Sequence, residues 1–121
     1  MDRLENAIIR KLKTGSIPTV VYFSDVDTFP APPYVVVKPE IGVLEGTRAF
    51  RIIVHERKGM ADKLSDYTLI ELDSLLAGNI DDREGSRYKL LPNGYTDITP
   101  EPTDNSFFME RMYYSPLTIR N

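Results

Sequence analysis

Tyr34-Val35-Val36-Val37-Lys38 and Thr47-Arg48-Ala49-Phe50-Arg51-Ile52-Ile53-Val54-His55-Glu56-Arg57 are the two runs on which the reading of this chain turns. β-branched and aromatic side chains fit a pleated surface, so both runs predict strands. Between them lie Pro39, Gly42 and the pair Glu45-Gly46, which suits a long hairpin turning at Glu45-Gly46 with an irregularity near Gly42. Side chains alternate across a strand. Phe50, Ile52 and Val54 therefore share one face of the second run, and Ala49, Arg51, Ile53 and His55 share the other. The first face is core and the second is mixed.

Upstream, Leu4, Ala7, Ile8 and Leu12 recur at helical spacing, with Asp2, Arg3, Glu5, Asn6, Arg10 and Lys13 opposite, and predict a short amphipathic helix. Asp2 and Glu5 have the form of a capping box, and Gly15 and Pro18 supply a stop. Residues 19–24 predict a short strand, and Pro30, Pro32 and Pro33 hold the linker 25–33 extended. Downstream, residues 57–63 read as a loop. A second helix follows, with Ser65 or Asp66 as N-cap, Leu69, Leu72, Leu75 and Leu76 on its apolar side and Gly78 just past its end.

The polar segment 79–86 reads as a loop. Residues 87–91 and 95–99 flank Pro92-Asn93-Gly94, and Asn-Gly between β-formers predicts a second hairpin. Pro100, Pro102 and Asp104 interrupt the chain before a last strand, residues 107–114. That strand is apolar on both faces: Phe107, Met109 and Tyr113 on one, Phe108, Met112 and Tyr114 on the other, with Glu110 and Arg111 interrupting. Pro116 ends its pairing or sets it on an edge.

The sum is one α+β domain, residues 1–121, with a mostly antiparallel sheet and two helices packed on one face. Two short helices cover one side of a sheet only. Apolar side chains on the far side then call for another chain.

The length, 121 residues, and 41% apolar content are those of one domain with its own core. No cysteine is present, which excludes disulfides, thiolate metal sites and cysteine nucleophiles. A single histidine excludes His-rich metal sites. The formal net charge of −3 argues against a protein whose main task is gripping nucleic acid. No apolar run is long enough to cross a bilayer, and the expectation is a soluble intracellular protein.

His55 has Arg51 and Glu56 near it but no local nucleophile, and reads as an interfacial or solvated histidine. Glu56-Arg57-Lys58 has the Glu-x-Lys form of restriction-endonuclease-like nucleases, with Asp25 or Asp27 as the metal-binding aspartate of a metal-dependent nuclease. This is the alternative from another functional class. Asp25, Asp27, Asp81 and Asp82 otherwise read as solvated loop acids without the pattern of a dedicated cation site. Arg83, Arg87 and Lys89 surround Tyr88, but Asp81, Asp82 and Glu84 offset their charge. No phosphate loop, nucleophile elbow or dinucleotide fingerprint is present, so no catalytic residue, cofactor or metal is expected.

What remains is an interaction protein. Val43 and Leu44 in the first hairpin, Met60 after the second strand, Arg51 and His55 on the mixed face, and Phe107, Met109 and Tyr113 in the last strand are the candidate interface residues.

The order of elements resembles the tail terminator, or tail completion, proteins of long-tailed bacteriophages. The residues carrying the resemblance are an N-terminal amphipathic helix (Leu4 to Leu12), a first strand (Val20 to Phe23) and the string Pro33-Tyr34-Val35-Val36-Val37. A long partner strand (Arg48 to Glu56), a Leu-rich helix (Leu69 to Leu76) and a final aromatic strand (Phe107 to Tyr114) complete it. The resemblance implies a non-enzymatic virion protein of the head-tail junction, assembled in the host cytoplasm. It implies a hexameric ring that caps the tail tube, with the tube protein and a head-closure or connector protein as partners. DNA would pass through without specific binding, and no membrane is involved. A head-closure or connector protein of the neck is the alternative within the same class.

Overall fold

The hairpin expected from the two β-rich runs is the centre of the sheet. In the computed structural model, which describes residues 3–40, 48–81, 83, 85–102, 105–116 and 118–120, β2 (Tyr34–Pro39) pairs antiparallel with β3 (Arg48–Arg57) from Tyr34↔His55 to Pro39↔Phe50. The Glu40 N–H donates to the Ala49 carbonyl at 3.0 Å and extends the pairing by one step. The expected turn at Glu45-Gly46, the irregularity at Gly42, and the interface candidates Val43 and Leu44 lie outside the described residues.

β1 (Val20–Tyr22) runs parallel to β2, and β7 (Ser106–Ser115) pairs antiparallel with the other edge of β3 along its whole length. β5 (Ser86–Tyr95) and β4 (Gly78–Asp81) follow, giving the order β1-β2-β3-β7-β5-β4. Two short strands lie off this path: β6 (Thr99–Glu101) pairs with β7, and β8 (Thr118–Arg120) with β5. Among the described residues, every pairing but β1 with β2 is antiparallel. The fold is thus α+β, with helices on one face of a mostly antiparallel sheet.

Period-2 alternation decides which side chains meet the helices. Val35 and Val37 of β2, Phe50, Ile52 and Val54 of β3, and Met109 and Tyr113 of β7 are buried on that side. Leu4, Ala7, Ile8 and Leu12 of α1 (Arg3–Leu12) close over them, with Leu64, Leu72 and Leu76 from the second helical region. Each buried Val, Leu, Ile, Phe or Met among them contributes about 1.5–3 kcal/mol by leaving water, which makes this layer the main source of stability.

The second helix starts differently from the expected Ser65 or Asp66 N-cap. Residues 57–63 are not an open loop: Lys58–Lys63 form a 3₁₀ turn, and the Leu64 N–H already donates to the Ala61 carbonyl. Ser65 is helical and makes no capping hydrogen bond, because the preceding turn leaves no free helix end there for a side chain to serve. A π-helical turn, Asp66–Glu71, leads into α2 (Leu72–Leu76). Gly78, at φ +106°, lets the chain leave the helix as expected.

Two further expectations are overturned. The polar segment after Gly78 begins with a strand, β4, because it pairs with β5 and sets buried Ile80 opposite buried Tyr88. Cross-strand pairing outweighs its polar composition. Likewise, Pro92-Asn93-Gly94 does not turn the chain back. β5 runs through it, and the register with β7 slips between Pro92↔Tyr113 and Tyr95↔Arg111 by one extra residue, which is a β-bulge. The reversal comes later, between Glu101 and Ser106, where Asn105 takes φ +55°. Pro100 sits inside β6 at the sheet edge, where its missing N–H is tolerated.

Gly94 occupies φ +91° within the bulge, where no side chain would meet a neighbour. Gly94→Ala is therefore expected to cost about 1 kcal/mol through backbone strain alone, seen as a lower urea midpoint at unchanged m-value. An unchanged midpoint would show that the bulge relaxes freely.

Candidate functional site

The sheet has a second face, and its register assembles an aromatic row there. Tyr34 pairs with His55, which pairs in turn with Phe108, so side chains of β2, β3 and β7 stand side by side away from the helices. The Tyr34 and His55 rings stack at 4.4 Å between centroids and 13° between planes, and Phe108 lies 5.3 Å beyond His55. The connection after β1 extends the row: Phe29 stacks on Tyr34 at 5.7 Å and 5°, and Phe23 lies 6.5 Å from Phe29. The connection is not extended throughout, as its prolines suggested: it opens with a 3₁₀ turn at Phe23–Asp25, bends at residues 27–28 and 31–33, and has a cis bond between Pro32 and Pro33, with Phe29 back over the sheet. Lys38 places its ammonium 4.7 Å from the Phe23 ring centroid.

These rings, with Val36 and Ile53 as floor and Glu101 and Glu110 at the margin, line a cavity of about 180 Å³. Phe23 and Phe29 remain 44% and 40% exposed, large apolar side chains left in water beside an apolar hollow. Val36↔Ile53↔Glu110 is the next row of the register. Arg51 lies close by, with Nε 2.6 Å from Glu40 Oε1 and Nη1 3.3 Å from Glu110 Oε2. The arrangement offers stacking faces, an apolar floor and carboxylates.

Several candidate interface residues are placed otherwise than expected. Met109 and Tyr113, 3% and 0% exposed, face the helices and fill the chain's own core, and Phe107 packs half-buried against that core. They share the parity of Arg111, whose partner is on α2, so that face of β7 is the helix-covered one. Its other face, with Phe108, Glu110 and Met112, takes the surface role. His55 is neither solvated nor peripheral: it is buried in the aromatic row, its Nδ1 3.4 Å from Ser106 Oγ. Arg51 is on the far face as expected, engaged by two carboxylates. Met60 is half-buried in the 3₁₀ turn.

The nuclease arrangement is not assembled. Glu56 is 2% exposed and accepts a hydrogen bond from the Arg57 N–H at 2.8 Å. Asp25 and Asp27 are exposed on the connection that folds over the opposite face, with β2 between β1 and β3. Among the described residues no three His, Asp or Glu side chains gather where a metal ion could be held.

One cluster escaped the sequence reading. Asp73 of α2 receives two hydrogen bonds from Arg111, Nε to Oδ1 at 3.1 Å and Nη2 to Oδ2 at 2.8 Å, and a third from the Tyr113 hydroxyl. It ties α2 to β7. Partial burial pushes the Asp73 carboxyl up, but the hydrogen bonds from Arg111 and Tyr113 and the charge of Arg111 outweigh it and hold the group below its ordinary value. Burial and the bond to Asp73 push the Tyr113 hydroxyl upward. The legible signal was Arg111 itself, a charge in phase with Met109 and Tyr113 that needs an acid from the helix layer.

No family model matches this chain, and no curated protein matches it. Among solved structures, a protein whose name describes no activity superposes with a TM-score of 0.58 at 15% identity, covering 94% of this chain and 93% of its own. At that identity the likeness is one of fold. The fold therefore recurs in another chain of similar extent, and no helix here is long and apolar enough to cross a membrane among the described residues.

Proposed function

We propose that this chain is a structural protein of the phage head-tail junction, a tail terminator that forms a ring, caps the tail tube and presents a docking surface to the head. The observation that carries this reading is the sheet face away from α1 and α2, where the row Phe23, Phe29, Tyr34, His55 and Phe108 borders an apolar hollow that those two helices do not reach. An apolar face of this kind on a small domain is buried by association, and copies of one chain related by a closed symmetry are the commonest way to bury it. The order of elements, which resembles that of tail terminators, supports the head-tail junction as the setting. DNA passes through such a ring without specific binding, in keeping with the net charge of −3.

The test is assembly. Light scattering at about 100 μM, alone and with a phage tail tube protein, is expected to give a ring-sized mass and arrested tube growth; the concentration suits interfaces of micromolar strength. A protein that stays monomeric in both settings and leaves tube length unchanged would rule the reading out.

A further inference from the structure

Two features at opposite sides of the sheet have complementary charge. The aromatic hollow is bordered by Glu101 and Glu110, and the connection carrying Phe23 and Phe29 also carries exposed Asp25 and Asp27. Of the described cations on that face, Arg51 is held by Glu40 and Glu110, Lys38 lies over Phe23, and Arg57, at the end of β3, lies 3.7 Å from Glu56. On the helix side, a cleft of about 370 Å³ opens between the end of α1 and β4. Arg10, Lys11 and Arg83 line it together with one carboxylate, Asp81, above an apolar floor of Ala7 and Ile80, and Asp81 also lies 3.8 Å from Arg87.

We infer that the acidic aromatic face of one copy receives the basic α1 cleft of the next copy. This rests on the ring-forming reading above and names the two surfaces that meet. Because the two surfaces differ and lie on opposite sides of the subunit, the contact is head-to-tail, the kind that closes into a ring when the rotation per subunit divides a full turn. Each contact needs about 800 Å² from each partner. The subunit exposes 6951 Å², enough for one such patch on each side. Apolar rings and floors supply affinity, while Asp25, Asp27 and Glu101 against Arg10, Lys11 and Arg83 set polarity and exclude a face-to-face pairing of like charges.

The experiment uses two full-length double variants with changes at exposed positions: Lys11→Glu with Arg83→Glu, and Asp25→Lys with Asp27→Lys. Each alone presents like charge on both faces and is expected to weaken self-association at least about tenfold by sedimentation velocity. An equimolar mixture restores complementary contacts and is expected to recover assembly in alternating order. Circular dichroism and thermal midpoints close to those of the wild type establish that both variants fold. If the wild type assembles but both variants assemble equally well, or the mixture does not recover, the pairing of these faces is wrong while the ring reading stands. If the wild type does not assemble, alone or on the tube, both fall together.

Discussion

Asp73→Ala is expected to lower the unfolding free energy by about 2–3 kcal/mol, the largest effect of any polar substitution on this fold. The carboxylate is the shared acceptor for Arg111 and Tyr113, so its removal leaves a guanidinium that is only 14% exposed and a fully buried phenol without their partner. For a domain of this size the thermal midpoint would fall by about 10 °C. Tyr113→Phe removes one donor and spares the ion pair, and is expected to cost only about 1 kcal/mol. The pH dependence follows from the lowered Asp73 pKa. A carboxyl whose folded value lies below its unfolded value of about 3.9 stabilises fully above that value and loses the contribution as pH falls through the folded one. The stability gap between wild type and Asp73→Asn should therefore be constant near neutrality and narrow below about pH 4. Urea titrations across that range check it; a gap that persists into strong acid would show that the side chain acts through packing rather than charge.

How far the molecule could be read from its residues depends on which interactions are local. The β2–β3 hairpin, the inward parity of Phe50, Ile52 and Val54, the N-terminal helix and the two-faced last strand follow from periodicity, and the structure has them. Asn93-Gly94 misled because what the pair encodes is a positive φ, and a bulge uses that as readily as a turn. Whether the chain reverses is decided by β7, which follows in the sequence. The strand β4 was hidden for a similar reason, since its pairing with β5, not its polar composition, makes it a strand. At the site, His55 was visible but its environment was not. Its neighbours Tyr34 and Phe108 are distant in sequence and become adjacent only through the registers of β2 and β7 against β3. Phe23 and Phe29 come from a connection that composition marks only as a proline-containing linker.

The same register supplies the most direct handle on function, the substitution Ile53→Lys. Ile53 sits between Val36 and Glu110 in the floor of the aromatic hollow, half-buried, on the face away from the helices. A lysine there extends its stem over the apolar floor and carries its ammonium toward Glu110, so the subunit keeps its fold. The helix-side core of Phe50, Ile52 and Val54 is untouched. What changes is the surface offered to another chain: under the pairing proposed above, a charge then stands where apolar contact is needed and repels the basic α1 cleft. Loss of a central apolar contact is worth roughly 2 kcal/mol or more in an interface, so association is expected to weaken roughly 30-fold or beyond. Tyr34→Ala is the informative contrast. Tyr34 is buried between Phe29 and His55, and losing its ring is expected to cost the monomer about 3 kcal/mol before any effect on association is seen. Thermal unfolding and sedimentation of the two variants side by side separate the roles. If Ile53→Lys unfolds the monomer as severely as Tyr34→Ala, the hollow belongs to the chain's own core. If it spares the fold and assembly alike, the aromatic face is not where copies meet.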